Sequence, residues 1–180
     1  MLDVQTVIPA ISNHQDLKKF LTLPLTYGIL MNFQLAQLPE LVKMMKDSQK
    51  KVLIHSELIK GLSSDESGAI YLIQTLGVDG IISSKPKVIE VCKKRKVIGI
   101  FRFFLKDTVS LNQSLDIARK IKPEYLEILP ACCYDVIEKI KQDVSCKVLM
   151  GGLIHSKEQI KKCLSTGAIA VTVSNVDLWV

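Results

Sequence analysis

Residues 51–83 have the sequence KVLIHSELIKGLSSDESGAIYLIQTLGVDGIIS, which contains one complete repeat of the predicted fold. Its two ends, residues 51–55 and 80–83, are short apolar runs typical of strands that are buried on both faces of a parallel sheet. Between them, apolar residues recur at helical spacing across residues 70–76, and Asp65 stands where a helix N-cap is expected. The stretch therefore predicts a strand–helix–strand unit.

The same alternation of apolar runs and amphipathic segments continues over the whole chain. Seven helical segments separate eight strand candidates, at residues 6–10, 27–31, 51–55, 80–83, 97–102, 125–129, 147–150 and 168–173. Strict alternation is typical of a parallel barrel or a doubly wound sheet, and eight repeats favour the barrel because closure removes both sheet edges.

The chain length restricts the size of this barrel. The protein has 180 residues, whereas typical (β/α)8 barrels have about 200 residues at the short end of their range. We therefore expect an α/β protein with a compact (β/α)8 TIM-barrel-like fold and short loops. We also expect a single domain over residues 1–180 and a truncated last helix around residues 176–179.

The composition is that of an ordinary globular protein. Hydrophobic residues make up 48% and charged residues 23% of the chain, which argues against a disordered or collagen-like chain. Lys and Arg outnumber Asp and Glu by 24 to 18, and the resulting charge of +6 favours anionic partners such as phosphates or nucleic acid. The five Cys are an odd number and form no C-x-x-C pair, so we expect a reduced, intracellular protein. The sequence also lacks metal-ligand spacings, a P-loop and a dinucleotide fingerprint, so we expect neither a metal site nor a cofactor.

Two segments bear on membrane association. Residues 1–4 lack a basic region, so we expect no signal peptide. Residues 20–39 carry no charge over a length that could span a bilayer, but they include Pro24, Gly28 and Pro39 and fit a turn, a strand and a helix start better. We expect a soluble, cytoplasmic protein with no membrane partner, and a homo-oligomer is compatible with the sequence.

The strongest candidates for a binding site follow the last two predicted strands, because the working face of such a barrel lies at the C-terminal strand ends. Gly151 and Gly152 follow strand 7, and Ser174 and Asn175 follow strand 8. Phosphate sites are often built from these two loops, where glycine lets the backbone approach an anion and helix-start N–H groups point at it. The pattern predicts a phosphate site; the alternative is a tight turn at the glycines and a helix cap at Asn175.

Charged residues interrupt two otherwise apolar strands. Arg102 lies in strand 5 and Glu127 in strand 6, and an unpaired buried charge is costly. We expect these side chains to pair with each other or to face a polar pocket. Glu57 and Lys85 follow strand ends, where a ligand contact and a solvated side chain both fit the pattern. His55 fits a structural histidine of the barrel better than a general base.

One segment is locally basic. Residues 85–96 contain a single acidic residue and six basic ones: Lys85, Lys87, Lys93, Lys94, Arg95 and Lys96. The last four, Lys93, Lys94, Arg95 and Lys96, are called the basic cluster below; they end a predicted helix on the side of the barrel opposite the candidate phosphate loops. Such a run can track a nucleic-acid backbone. It is also typical of a solvated helix C-terminus, where cations interact favourably with the helix dipole.

Several short motifs occur in an order that is similar to that of one known family. They are IPAI at 8–11, HSELIKGL at 55–62, GIISSK at 80–85, EILP at 127–130, GGLI at 151–154 and SN at 174–175. Over nearly its whole length the chain resembles the glycerol uptake operon antiterminators, the glycerol 3-phosphate responsive regulators of bacterial glycerol genes. The resemblance implies a regulator rather than an enzyme. Such a protein binds glycerol 3-phosphate as an effector and acts on leader mRNA, so that transcription passes a terminator.

Under this hypothesis, the candidate residues take specific roles. The phosphate would be held by Gly151, Gly152, Leu153, Ser174 and Asn175. Lys85 or Arg102 would supply positive charge. Glu57 and Glu127 would accept hydrogen bonds from ligand hydroxyls, and the basic cluster would be an RNA surface.

Two observations leave alternatives open. Ala131 stands where the family usually has Gly, and Ala would be strained there if the position required a positive φ. The effector could therefore be a different phosphorylated metabolite. The fold also hosts many enzymes of phosphorylated small molecules. In such an enzyme Glu127 or Glu57 would act as a base and Lys85 as an electrostatic catalyst.

Overall fold

In the computed structural model, which describes residues 2–179, eight parallel strands form a closed barrel in chain order. The strands are β1 (Val7–Ile11), β2 (Tyr27–Leu30), β3 (Lys51–His55), β4 (Gly80–Ser83), β5 (Ile98–Phe104), β6 (Tyr125–Leu129), β7 (Lys147–Gly151) and β8 (Ala170–Val173). The predicted fold is confirmed, with small shifts at strand ends. β5 runs two residues further than predicted because its ladder with β6 continues to Phe104, opposite Leu129.

The described residues form seven α-helices, one after each of the first seven strands. They are α1 (His14–Thr22), α2 (Leu38–Asp47), α3 (Glu66–Ile70), α4 (Pro86–Arg95), α5 (Thr108–Ile121), α6 (Val136–Asp143) and α7 (Lys157–Ser165). Asp65 caps α3 as predicted, because its side chain accepts a hydrogen bond from the Gly68 N–H at 2.9 Å. After β8 the chain forms a short 3-10 turn (Val176–Leu178) in place of a helix, also as predicted.

The interior of the barrel is apolar at its centre and polar at its C-terminal mouth. Residues two apart on a strand share a face, and inward-facing residues meet in a buried cluster that includes Ile8, Ile29, Leu53, Ile82, Ile100, Leu149 and Ala170. Leu2 joins this cluster from the N-terminal end of the barrel. Two positions further along their strands, the same face holds His55, Arg102 and Thr172. Glu127 lies opposite Arg102 on β6.

The uncharged stretch at residues 20–39 contains the end of α1, β2, a 3-10 turn and the start of α2, as predicted. Within residues 2–179, no helix has the length and apolar character needed to cross a membrane. All five Cys are free thiols. Over the same residues, His, Cys, Asp and Glu side chains form no group suited to a metal ion.

Candidate functional site

The centre of the candidate site is a buried ion pair in the mouth of the barrel. Arg102 Nε donates to Glu127 Oε2 at 2.6 Å, and the Thr172 hydroxyl donates to Glu127 Oε1 at 2.5 Å. Hydrogen bonds at both oxygens offset the cost of burying the carboxylate. Of the two arrangements expected for these charges, the structure shows Arg102 paired with Glu127. Glu127 has no solvent exposure, whereas 16% of the Arg102 side chain is exposed, so Arg102 is the member of the pair that reaches solvent.

His55 joins this ion pair from β3. Its Nε2 contacts Arg102 Nη1. Because a guanidinium can only donate, a hydrogen bond between these atoms requires a neutral ring that accepts at Nε2. Burial, together with the nearby Arg102 charge, lowers the pKa of His55 from 6.5 to about 4. The Nδ1 atom is buried without a hydrogen-bond partner and lies 3.4 Å from Glu57 Oε2. The site therefore holds a neutral histidine between a cation and a carboxylate.

Glu57 connects this network to the loop between β4 and α4. Its Oε1 accepts hydrogen bonds from the Ser83 hydroxyl at 2.6 Å and from the Ser84 N–H at 2.8 Å. Burial opposes ionisation of Glu57, but these hydrogen bonds outweigh it and hold the pKa of the carboxyl below its ordinary value. Glu57 is therefore an ionised carboxylate that fastens the end of β3 to the start of α4.

A cleft of about 350 Å³ lies beside the network, between the loops that follow β7 and β8. It is lined by Gly152, Leu153, Ile154, His155, Thr172, Val173, Ser174 and Asn175. Gly152 (φ 77°) and Leu153 (φ 58°) both have left-handed backbone, which glycine adopts freely and leucine only at a cost. Asn175 Oδ1 accepts from the Asp177 N–H at 3.1 Å and so caps the 3-10 turn. The structure thus brings the two loops together, and Asn175 also acts as the cap foreseen in the alternative interpretation.

Gly151 marks the place where the cleft and the network meet. A Cβ atom at this position would overlap the Thr172 hydroxyl and would lie 2.9 Å from Glu127 Oε1. This close approach therefore requires glycine. Because Thr172 lines the cleft and also donates to Glu127, the cleft and the ion pair form one continuous polar region.

The basic residues at the two ends of α4 are not among the residues that line the cleft. Lys85 is exposed at the N-cap position of α4. The basic cluster is exposed at the other end of the helix, where Lys96 is a left-handed C-cap residue. It adjoins the N-terminal ends of β5 and β6, since Lys93 and Lys96 line a groove with Ile98 and Tyr125. The cluster therefore lies on the face of the barrel opposite the cleft.

Ala131 does not occupy the strained position considered for it. It is buried, has no positive φ, and donates its N–H to the Gly152 carbonyl at 3.2 Å. Alanine is accommodated because this position needs no left-handed backbone. The left-handed conformation falls instead on Leu153.

Two residues of the site were missed by reasoning from the sequence. Thr172 is a polar residue on the inward face of a strand of Ala and Val, and this was a usable signal. His155 lines the cleft from the loop after β7, and only its position four residues beyond Gly151 could have indicated it. The role of His55 was underestimated, because its contact with Arg102 depends on how β3 and β5 face each other across the barrel.

Comparisons with known proteins point to one family. The profile described as "Glycerol-3-phosphate responsive antiterminator" matches residues 7–179. The crystal structure of a glycerol uptake operon antiterminator regulatory protein from Listeria monocytogenes has 37% sequence identity and a TM-score of 0.94, and the match covers 97% of this chain and 95% of that chain. An uncharacterized protein of Escherichia coli (strain K12), YgcP, is 24% identical over 99% of this chain and 94% of its own length.

The barrel itself is shared more widely. Orotidine 5'-phosphate decarboxylase from Pyrococcus horikoshii has a TM-score of 0.68 at 12% identity, covering 94% of this chain and 89% of that chain, which shows a common fold alone. The family profile, by contrast, extends from β1 to the turn after β8 and includes every loop that builds the cleft and the network. The chain therefore belongs to the glycerol-3-phosphate responsive antiterminator family.

Proposed function

We propose that this protein is an RNA-binding transcription antiterminator that senses glycerol 3-phosphate, or a related phosphorylated metabolite, and controls glycerol-utilisation genes through their leader mRNA. The response to glycerol 3-phosphate is the property by which its family is described. The observation that carries the proposal is the continuity between the cleft and the buried Arg102–Glu127 pair, joined at Thr172. A phosphorylated polyol combines an anionic group with hydroxyls, and this region offers backbone donors at one end and a guanidinium at the other.

In this proposal the phosphate lies in the cleft between the loops after β7 and β8. Among the residues that line the cleft, the candidate donors are the N–H groups of Gly152 and Leu153, the Ser174 hydroxyl and the side-chain amide of Asn175. Glycine at position 151 leaves room for the Thr172 hydroxyl and the Glu127 carboxylate beside the cleft. Lys85, exposed at the same end of the barrel, adds positive potential that attracts a dianion.

The polyol end of the effector extends towards Arg102. Glu127 is fully buried and accepts at both oxygens, and Glu57 Oε1 accepts from Ser83 and Ser84. A ligand hydroxyl would therefore have to displace a protein donor to reach either carboxylate. We assign these two acids chiefly to holding Arg102 and the β4–α4 loop, with direct hydroxyl contact as a secondary role.

The proposed RNA surface is the basic cluster at the C-terminus of α4. Its four side chains are exposed cations, as phosphate-backbone contacts require. The cluster and the cleft lie on opposite faces, so effector and RNA bind without competing for space. The effector then controls RNA binding by favouring one of two conformations of the protein.

The effector half of the proposal is tested by thermal unfolding in the presence of glycerol 3-phosphate or of glycerol. A ligand at about 100 times its Kd stabilises the folded state by roughly 2.7 kcal/mol, which corresponds to a rise in Tm of about 5–10 °C for a chain of this size. We expect this rise with glycerol 3-phosphate and no rise with glycerol. Equal shifts with both compounds, or none with either, would rule out the proposed specificity.

Two observations favour a regulator over an enzyme of phosphorylated substrates. Glu127 is enclosed and engaged at both oxygens, so it is poorly placed to remove a proton from a substrate. Lys85 is exposed at a helix start, where nothing desolvates its amine as a catalytic lysine requires. Incubation with glycerol 3-phosphate should therefore leave the compound chemically unchanged, as followed by phosphorus NMR.

A further inference from the structure

The Arg102 guanidinium is held on two sides by buried groups from two different strands. Glu127 on β6 accepts from Nε, and His55 on β3 accepts from Nη1. The side chains of Glu127 and His55 are 0% and 4% exposed, whereas Arg102 is 16% exposed. Two sides of the guanidinium are thus used internally, and Arg102 is the member of this group that keeps appreciable exposure for a further contact.

The acceptor role of His55 requires one tautomer. A guanidinium cannot accept a hydrogen bond, so Nε2 must be unprotonated and the proton must lie on Nδ1. Nδ1 faces Glu57 Oε2 at 3.4 Å and is the one buried side-chain nitrogen or oxygen within residues 2–179 that lacks a hydrogen-bond partner. A proton on Nδ1 therefore lies close to an ionised carboxylate, and this electrostatic contact favours the Nδ1–H form over the alternative tautomer.

We propose that His55 is a positioning residue of the effector site, which acts as a neutral Nδ1–H tautomer to fix the Arg102 guanidinium with its free edge towards the effector. The proposal rests on the function proposed above and adds a residue to it. His55 itself does not touch the ligand. It acts through Arg102, as Glu127 does from the other side.

The groups that face His55 explain why the ring stays neutral. Arg102 on β5 opposes protonation, whereas Glu57 and Glu127 favour it; burial and Arg102 prevail, and the pKa of His55 falls to about 4. A protonated ring would put two cations in contact and would expel the guanidinium from its place. Neutrality is thus a condition for the orientation of Arg102.

Nitrogen-15 NMR of the ligand-free protein tests the geometry directly, because it distinguishes protonated from unprotonated imidazole nitrogens. We expect the His55 ring at pH 7 to be neutral, with the proton on Nδ1. The exposed His14 and His155 serve as internal references. A proton on Nε2, or a charged ring at pH 7, would overturn the proposal whatever the ligand.

A pair of variants tests the consequence for binding. In His55→Gln, the side-chain amide can place its oxygen near the position of Nε2 and can still accept from Arg102. His55→Leu has similar volume and no acceptor. Because hydrogen bonds to charged groups are strong, we expect the affinity for glycerol 3-phosphate to fall about ten-fold or more in His55→Leu and by less than about three-fold in His55→Gln.

The outcomes separate this inference from the function on which it rests. Equal affinities in the wild type and His55→Leu would overturn the positioning role while leaving the proposed function intact. A comparable loss in both variants would also overturn it, because it would indicate that packing of the ring matters and its acceptor does not. A wild-type protein that fails to bind glycerol 3-phosphate would overturn the proposed function, and the NMR measurement alone would then decide the His55–Arg102 geometry. That measurement also decides if His55→Leu fails to fold.

Discussion

Removal of one partner from the Arg102–Glu127 pair should destabilise the protein far more than removal of both. In Arg102→Met, the Glu127 carboxylate keeps its hydrogen bond from Thr172 but loses the cation 2.6 Å away, and it has no exposure to water. Breaking a buried ion pair in this way typically costs about 3–5 kcal/mol, because an uncompensated charge stays buried. For a chain of this size, that cost corresponds to a decrease in Tm of roughly 6–20 °C.

The double variant Arg102→Met, Glu127→Gln removes the buried charge altogether. The glutamine introduced in place of Glu127 can still accept from Thr172 through its amide oxygen, so the substituted pair leaves only neutral groups at these two positions. Neutral replacements of buried ion pairs are often close to the original in stability. We therefore expect the double variant to recover most of the loss and to unfold within about 1–2 kcal/mol of the wild type.

Urea unfolding of the wild type, both single variants and the double variant gives the complete double-mutant cycle. The coupling energy between the two residues should amount to about 2 kcal/mol or more. The reasoning would be refuted if Arg102→Met changed the free energy of unfolding by less than about 1 kcal/mol, or if the double variant were no more stable than Arg102→Met. Either result would mean that Glu127 is not held as a buried charge.

Three further predictions follow from the same geometry. Gly152→Val should abolish binding of glycerol 3-phosphate while far-UV circular dichroism stays near that of the wild type. A β-branched residue resists the φ of 77°, and its Cβ would lie 3.3 Å from Leu129 Cδ2, so the loop after β7 would have to shift. Gly77→Val, at a φ of 64° in the loop before β4, is the matched control and should keep its affinity. Charge reversal of the three lysines of the basic cluster (K93E/K94E/K96E) should weaken leader RNA binding and leave effector binding unchanged. The slope of the logarithm of the RNA association constant against the logarithm of the salt concentration should become shallower by roughly two to three units. An unchanged slope would mean that the cluster is only a solvated helix end. Between pH 6.5 and about 4, His55 is protonated in the unfolded chain but not in the folded protein. The free energy of unfolding should therefore fall as the pH is lowered through this window, by about 3 kcal/mol from this residue. A His55→Gln variant whose free energy of unfolding has the same dependence on pH would contradict this account.

The fold was accessible from the sequence because its signals are local. Apolar runs such as residues 51–55 and 80–83 need only their own composition to be identified as buried strands. Eight such runs that alternate with helices leave few topologies, since parallel neighbours require a crossover between them. The ends of β5 were less certain because a strand continues only as far as its neighbour supports it, and the pairing of Phe104 with Leu129 is not a local property.

The cleft was predictable for a related reason. In a parallel barrel all strands point the same way, so the loops after β7 and β8 must lie side by side at one end. The order of the chain alone thus places Gly151 and Gly152 near Ser174 and Asn175. The pairing of Arg102 with Glu127 was also foreseeable, since a charge in each of two apolar strands calls for a partner.

By itself, the sequence determined the repeating units, the barrel that they build and the loops that form the cleft. It also showed that the charged residues on the inward face of the barrel require partners. Only the tertiary structure decided which polar atoms meet: His55 Nε2 with Arg102, Glu57 with the β4–α4 loop, and Thr172 with Glu127. It likewise placed the left-handed backbone on Leu153 rather than Ala131. The physical reason is that strand identity depends on neighbours along the chain, whereas these contacts depend on the register and closure of the barrel, which bring together residues 25 to 47 positions apart.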